Sequence, residues 1–172
     1  MIGIATRLHP HAACLVPEKR EERTTEGGLD IIGGHAHLRP AIQELTGEGI
    51  RVSLFVEPET EVMDAARDLG APVVELHTGT YCEAVAEGDR ARIAHELERI
   101  RQAAEHGAKI GLEIHAGHGL ALDSVRPIAA IPQIMELNIG HSLVGEAIFL
   151  GLDEAVRAMR AAMDEGRAQV AA

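Results

Sequence analysis

Residues 109–115 place Ile110, Leu112 and Ile114 at strict alternation, then run into Ala116-Gly117-His118-Gly119. Alternation of period two is the signature of a β-strand. The stop is abrupt, with a histidine bracketed by glycines that reach positive φ and let a backbone N–H approach an anion without a Cβ in the way. The pattern recurs at Met135-Glu136-Leu137-Asn138-Ile139-Gly140-His141, again a strand delivering Gly and His. Parallel α/β proteins build their sites at the C-terminal ends of strands. Two adjacent strands carrying Gly-His to one rim point to a site that binds phosphate and handles protons. The plainer alternative is a pair of ordinary strand-to-helix turns with incidental histidines.

The rest of the chain supports that placement. Residues 1–8 read as a helix tail ended by His9-Pro10, and 12–17 as a short apolar strand. The polar stretch 18–28 ends in Gly27-Gly28 and reads as a solvated loop or a lid over a site. Leu38, Ile42 and Leu45 have helical spacing, closed by Gly47 to Gly49. Arg51 to Val56 is the next strand. Thr60 is the expected cap of a helix with Val62, Met63, Ala66 and Leu69 on one face, ended by Gly70. Pro72 to Leu76 is a strand running into His77-Thr78-Gly79. It carries Glu75, which is costly to bury unpaired and so should face a cation inside the barrel or sit at the rim. Asp89 should cap a long helix (Ile93, Leu97 and Ile100 inward) that Gly107 stops, before a strand over 109–120. A short helix over 124–130 and the strand over 135–141 follow. A last helix over 153–165 should turn Val156, Met159 and Met163 inward.

This is regular β-α alternation with about five strands, which implies a parallel sheet with right-handed crossovers. The expected fold is a single α/β domain over 1–172 of the TIM (β/α)₈ barrel type. A full barrel of that kind needs eight strands and at least ~200 residues. The expectation is therefore an N-terminally truncated barrel of about five βα units.

Composition narrows the partners. With 27 acidic and 16 basic residues the formal charge is −11, which argues against nucleic acid or an anionic membrane as the main partner. An anionic substrate must then be held locally, by backbone N–H groups and a few placed cations. Phe55, Tyr81 and Phe149 are the only aromatics, too few for base stacking. Cys14 reads as a small core residue in a strand and Cys82 as a loop residue, with no disulfide framework or zinc spacing. There is no signal-peptide pattern and no apolar run of membrane-spanning length, so the default compartment is cytoplasmic.

Several ordered stretches carry a resemblance: Cys14-Leu-Val-Pro-Glu-Lys-Arg20, Thr24-Thr-Glu-Gly-Gly-Leu-Asp30, Val52-Ser-Leu-Phe55, Glu75-Leu-His-Thr-Gly79, Ala116-Gly-His-Gly-Leu120, Ile128-Ala-Ala-Ile-Pro132 and Glu136-Leu-Asn-Ile-Gly-His141. Along essentially its whole length the chain resembles the pyridoxine 5'-phosphate synthase family of vitamin B6 synthesis. The resemblance implies a TIM barrel that joins 3-amino-2-oxopropyl phosphate to 1-deoxy-D-xylulose 5-phosphate. The products are pyridoxine 5'-phosphate, phosphate and water, with no metal and no organic cofactor, in a homo-oligomer. By motif, His118 corresponds to the family's general acid and Glu75 to its charge-stabilising carboxylate. Gly119, Gly140 and His141 correspond to ligands of the aminoketone phosphate, and Thr24 to a ligand of the deoxyxylulose phosphate on a closing loop.

Two departures stand out. His115 replaces the family's usual Asn, and the match begins after the family's third strand, whose Glu serves as a central acid/base. Phosphate binding without turnover is therefore the expectation for these 172 residues. Two alternatives remain: a phosphate-binding partial barrel without catalysis, and a metal-dependent TIM-barrel hydrolase using histidines such as His35-Ala-His37. The second is weakened because His35 follows Gly33-Gly34 at a helix start, whereas a metal-binding His-x-His should end a strand.

Overall fold

The computed structural model describes residues 1–17 and 27–169. Thr24 and most of the expected lid segment lie outside the described residues. The elements run α1 (Ile2–Leu8), β1 (Ala12–Leu15), α2 (His35–Gly47), β2 (Arg51–Val56), α3 (Thr60–Leu69), β3 (Val73–His77), α4 (Gly79–Glu87), α5 (Arg90–Lys109), β4 (Glu113–Gly117), α6 (Val125–Ala129), β5 (Ile134–Asn138), α7 (His141–Leu150) and α8 (Leu152–Ala168).

The five described strands form one sheet in the order β1-β2-β3-β4-β5, and every neighbouring pair is parallel. Sequential order is decisive. Right-handed crossovers between consecutive neighbours all fall on the same face, so the helices cover one side only, as in the wall of a (β/α) barrel.

The burial pattern agrees. Val52, Leu54 and Val56 of β2, Val74 and Leu76 of β3, and Ile114 and Ala116 of β4 are buried in one apolar cluster. They share it with Ile42 and Leu45 of α2, Met63, Ala66 and Leu69 of α3, and Ile100, Ala103 and Ala104 of α5. Burying one such Leu, Ile or Val fully is worth about 1.5–3 kcal/mol, so this cluster dominates the stability of the unit. The alternate positions, on the concave face, are polar: Cys14, Arg51, Ser53, Glu75, His115, Glu136 and Asn138 share a hollow of about 390 Å³.

Several local expectations change. Gly107 does not stop α5, which runs on to Lys109. A Cβ on Gly107 would stand 2.7 Å from Ile114 Cδ1 and 3.3 Å from Met63 Sδ, so the glycine serves close packing of helix on sheet. The stop comes at Ile110 and at Gly111, whose φ is +92°, and β4 begins only at Glu113. In α8 the buried stripe is Ala155, Met159, Ala162 and Gly166; Val156 is 46% exposed. Glu59, not Thr60, is the N-cap of α3. Cys82 lies in α4 rather than a loop, and Cys14 is exposed on edge strand β1 rather than a core residue. Helices α4 and α7 were not anticipated.

Candidate active site

The C-terminal ends of β3, β4 and β5 set the site. Parallel register aligns Glu75 with His115 and His77 with Gly117. It then aligns His115 with Glu136 and Gly117 with Asn138, after an irregularity at Ile114/His115. Glu75, Gly117 and Asn138 thus meet on the concave face. A Cβ on Gly117 would lie 2.4 Å from Glu75 Oε1 and 3.1 Å from Asn138 Cβ. Only glycine leaves room for the Asn138 amide to cross and donate to Glu75 Oε2 at 2.9 Å. Burial is the main influence on Glu75 and raises its pKa, against the opposing Asn138 hydrogen bond and the nearby His115. Among the described residues no Lys or Arg pairs with it; the carboxylate lines the cavity, held by an amide. Cys14 is open to the concave face, yet desolvation by the surrounding atoms, then the neighbouring Glu75 carboxylate, raise its thiol to about 11, so the nearby sulfur is no ready nucleophile.

Beyond β4 the chain turns through His118 and Gly119, with φ of +77° and +82°. A left-handed histidine is uncommon, and such strain persists where surrounding structure imposes it. Here Thr78 does so: its backbone N–H donates to the Gly117 carbonyl at 2.9 Å. Its Oγ1 stands 2.8 Å from the same carbonyl and 2.6 Å from that of His118. Cys82 underlies Gly119, 3.1 Å from where a Cβ would be. Burial, then His77 and His141, lower the His118 pKa below 6.5, against a smaller opposing influence of Glu83, so the free ring is neutral at pH 7.

Beyond β5, Gly140 is the N-cap of α7 and His141 its first residue, with no side chain capping that end. The first N–H groups of a helix have no intrahelical partner and carry the positive end of the helix dipole. Ser142 Oγ donates to the Leu120 carbonyl at 2.7 Å and so pins this helix start to the β4 turn. The two turns open onto one cavity of about 460 Å³, lined by His118, Gly119, Asn138, Gly140 and His141 and by Glu75 and Phe55 among others. Among the described residues no Lys or Arg lines it. An anion there would rest on backbone N–H groups and the helix end.

The structure therefore brings together five of the six expected site residues: Glu75, His118, Gly119, Gly140 and His141. Asn138, Ser142 and Thr78 were not singled out from sequence. Neither was Glu57, whose carboxylate takes a hydrogen bond from the buried His77. Asn138 and Ser142 sit inside or beside the Glu-Leu-Asn-Ile-Gly-His motif, which was the available signal; Glu57 had none. His35 and His37 lie in the first turn of α2. Among the described residues no three His, Cys, Asp or Glu side chains converge to hold a metal ion.

A (β/α)-barrel wall with two glycine-histidine turns and an open helix N-terminus at its C-terminal rim defines a member of the TIM-barrel class. Residues 1–165 match the family described as "Pyridoxal phosphate biosynthesis protein PdxJ", and the chain belongs to that family. It is 63% identical over 164 residues to a protein of Rhodospirillum rubrum named pyridoxine 5'-phosphate synthase, covering 95% of this chain and 65% of that one. Proteins of the same name from Caulobacter sp. strain K31 and Rhodopseudomonas palustris are 56% and 52% identical over the full chain and 68% of their own length. The chain thus spans about two thirds of the length of these curated relatives.

Proposed function

We propose that this chain is a pyridoxine 5'-phosphate synthase, of the reaction that condenses 3-amino-2-oxopropyl phosphate with 1-deoxy-D-xylulose 5-phosphate, and that it carries the aminoketone phosphate pocket and the general acid of that reaction, with binding but not turnover expected of these 172 residues by themselves. The observation that supports this best is the convergence of both Gly-His turns on one cavity that Glu75 also lines. Phosphate fits the rim formed by Gly119, Gly140 and His141, where backbone N–H groups and the start of α7 favour an anion. The aminoketone's carbon chain then points inward toward Glu75. There a desolvated carboxylate stabilises the cationic imine far better than it would in water. His118 stands between the two, and a nearby phosphate raises its affinity for a proton, readying it as a donor to a departing hydroxyl. A metal-dependent hydrolase is not favoured. Thr24 is the proposed ligand of the second phosphate. A cytoplasmic homo-oligomer is the proposed state; no helix among the described residues is long and apolar enough to cross a membrane.

The test is calorimetry with the aminoketone phosphate on the full chain. A Cβ at Gly140 meets no atom within 4 Å, so larger side chains there project into the cavity without disturbing the fold. Gly140→Val should weaken binding by about tenfold or more, some 1.4 kcal/mol. His118→Asn keeps a residue that tolerates the left-handed conformation and should bind nearly as well as the parent. Equal losses from both substitutions would refute the division between phosphate site and proton donor.

A further inference from the structure

We propose that Glu57 and His77 form a positioning pair for His118: the carboxylate fixes the tautomer and orientation of His77, and the His77 ring, with Phe55, fixes the electrostatics and rotamer of His118. The inference rests on the reading of His118 as the proton donor, and it deepens that reading.

The geometry comes first. His77 ends β3 and is 4% exposed. Its Nδ1 lies 2.9 Å from Glu57 Oε1, which also accepts the Gly28 N–H at 2.8 Å. A carboxylate can only accept, so Nδ1 carries the proton and Nε2 is turned away from Glu57. Arg99 of α5 holds the carboxylate from behind, with Nη2 3.6 Å from Oε2. The consequence shows in Glu57 itself, whose pKa is lowered first by the His77 hydrogen bond, with burial opposing.

The free side of His77 faces the site. A Cβ on Gly79 would stand 2.4 Å from His77 Nε2 and 3.2 Å from His118 Cδ2, so both rings converge on that glycine. Ring centroids are 5.1 Å apart for His77 and His118, 5.2 Å for Phe55 and His77, and 6.1 Å for Phe55 and His118. The three rings pack as one unit across β2, β3 and the β4 turn. The titratable groups that act on His118 are His77 from β3, His141 from α7 and Glu83 from α4; Glu75 shares its cavity and Cys82 lies against its carbonyl. His77 is the one among them held by Glu57, whose carboxylate is in turn near Arg99.

The experiment is ¹⁵N-histidine ring NMR of the full chain, without substrate, across pH. In the parent His77 should show the Nδ1–H tautomer. Glu57→Leu should convert it to the Nε2–H form, whereas Glu57→Gln, which keeps an acceptor, should retain Nδ1–H. His77→Phe preserves the ring packing but removes the imidazole, and should shift the His118 titration midpoint, on which His77 acts. Cooperative thermal melts establish that the variants fold; where His77→Phe does not, the Glu57 variants carry the test. An Nε2–H parent tautomer, or a His118 midpoint that ignores His77→Phe, would overturn the pairing. Because these signals are read at His77 and His118 without ligand, they can fail while phosphate binding at Gly119 and Gly140 stands, and the reverse.

Discussion

Gly119 and Gly140 lie on the same rim, yet a methyl group would meet different surroundings at each. At Gly119 it would face a φ of +82° and the Cys82 side chain at 3.1–3.3 Å; at Gly140 it would meet open space. Gly119→Ala should therefore cost about 1–2 kcal/mol of stability, and Gly140→Ala should leave the melt almost unchanged. Thermal melts of the two variants side by side check this. The carboxylates Glu57 and Glu75 make a second contrast, of opposite sign. Glu57 titrates below its ordinary 4.5 in the folded chain, chiefly through His77, so its contribution is present above pH 4.5 and is lost as the pH falls through its lowered folded value. Glu75 titrates above 4.5, chiefly through burial. The folded state then binds that proton more tightly, and stability falls as the pH rises through the raised value. Glu57→Gln should thus destabilise at neutral pH and Glu75→Gln should stabilise there. Both differences should shrink toward zero well below pH 4.5, as followed by melting temperature across pH.

Helix α5 shows how an element is bounded by local chemistry. Asp89 Oδ1 accepts the N–H groups of Ala91 and Arg92, each at 3.1 Å, satisfying two of the four free donors at that end. Asp89→Ala should lower stability by about 1 kcal/mol, read from denaturant midpoints at constant m. α5 matters to the site because its Arg99 reaches Glu57 and Glu59. α4 and α7 matter more directly, since their first residues, Gly79 and His141, stand at the rim. Neither helix is easily read from its residues. Residues 79–87 are short and rich in small side chains, and α7 has apolar side chains on nearly every face with none fully buried.

At the scale of the whole molecule, the apolar surface concentrates on α7 and the start of α8. Ile148 is 77% exposed, Phe149 86%, Val144 and Leu152 63% each and Leu150 50%. β1 and β5 are edge strands of the described sheet, and edges with free backbone groups invite pairing. Contiguous exposed apolar surface of this kind marks association sites. The chain should therefore sediment as concentration-dependent oligomers, and the double substitution Ile148→Lys, Phe149→Ser should shift the distribution toward monomer. A parent chain that sediments as a monomer across the micromolar range would contradict this expectation.

Alternation and glycine placement, both local, were enough to read five parallel strands, the barrel-type fold and the Gly-His turns directly from the residues. The motifs running through 75–79, 116–120 and 136–141 pointed to the family before any geometry. What depended on tertiary structure was every contact between residues distant in the chain. Gly107 looks like a helix stop until Ile114 and Met63 crowd against it. The residues leave Glu75 facing a cation or sitting at the rim; only the fold shows Asn138, 63 residues away, donating to it. Glu57 carries no motif and becomes noticeable only because β2 and β3 lie side by side and set its carboxylate against His77. Periodicity records which face a side chain takes; only parallel register and packing decide what it meets there.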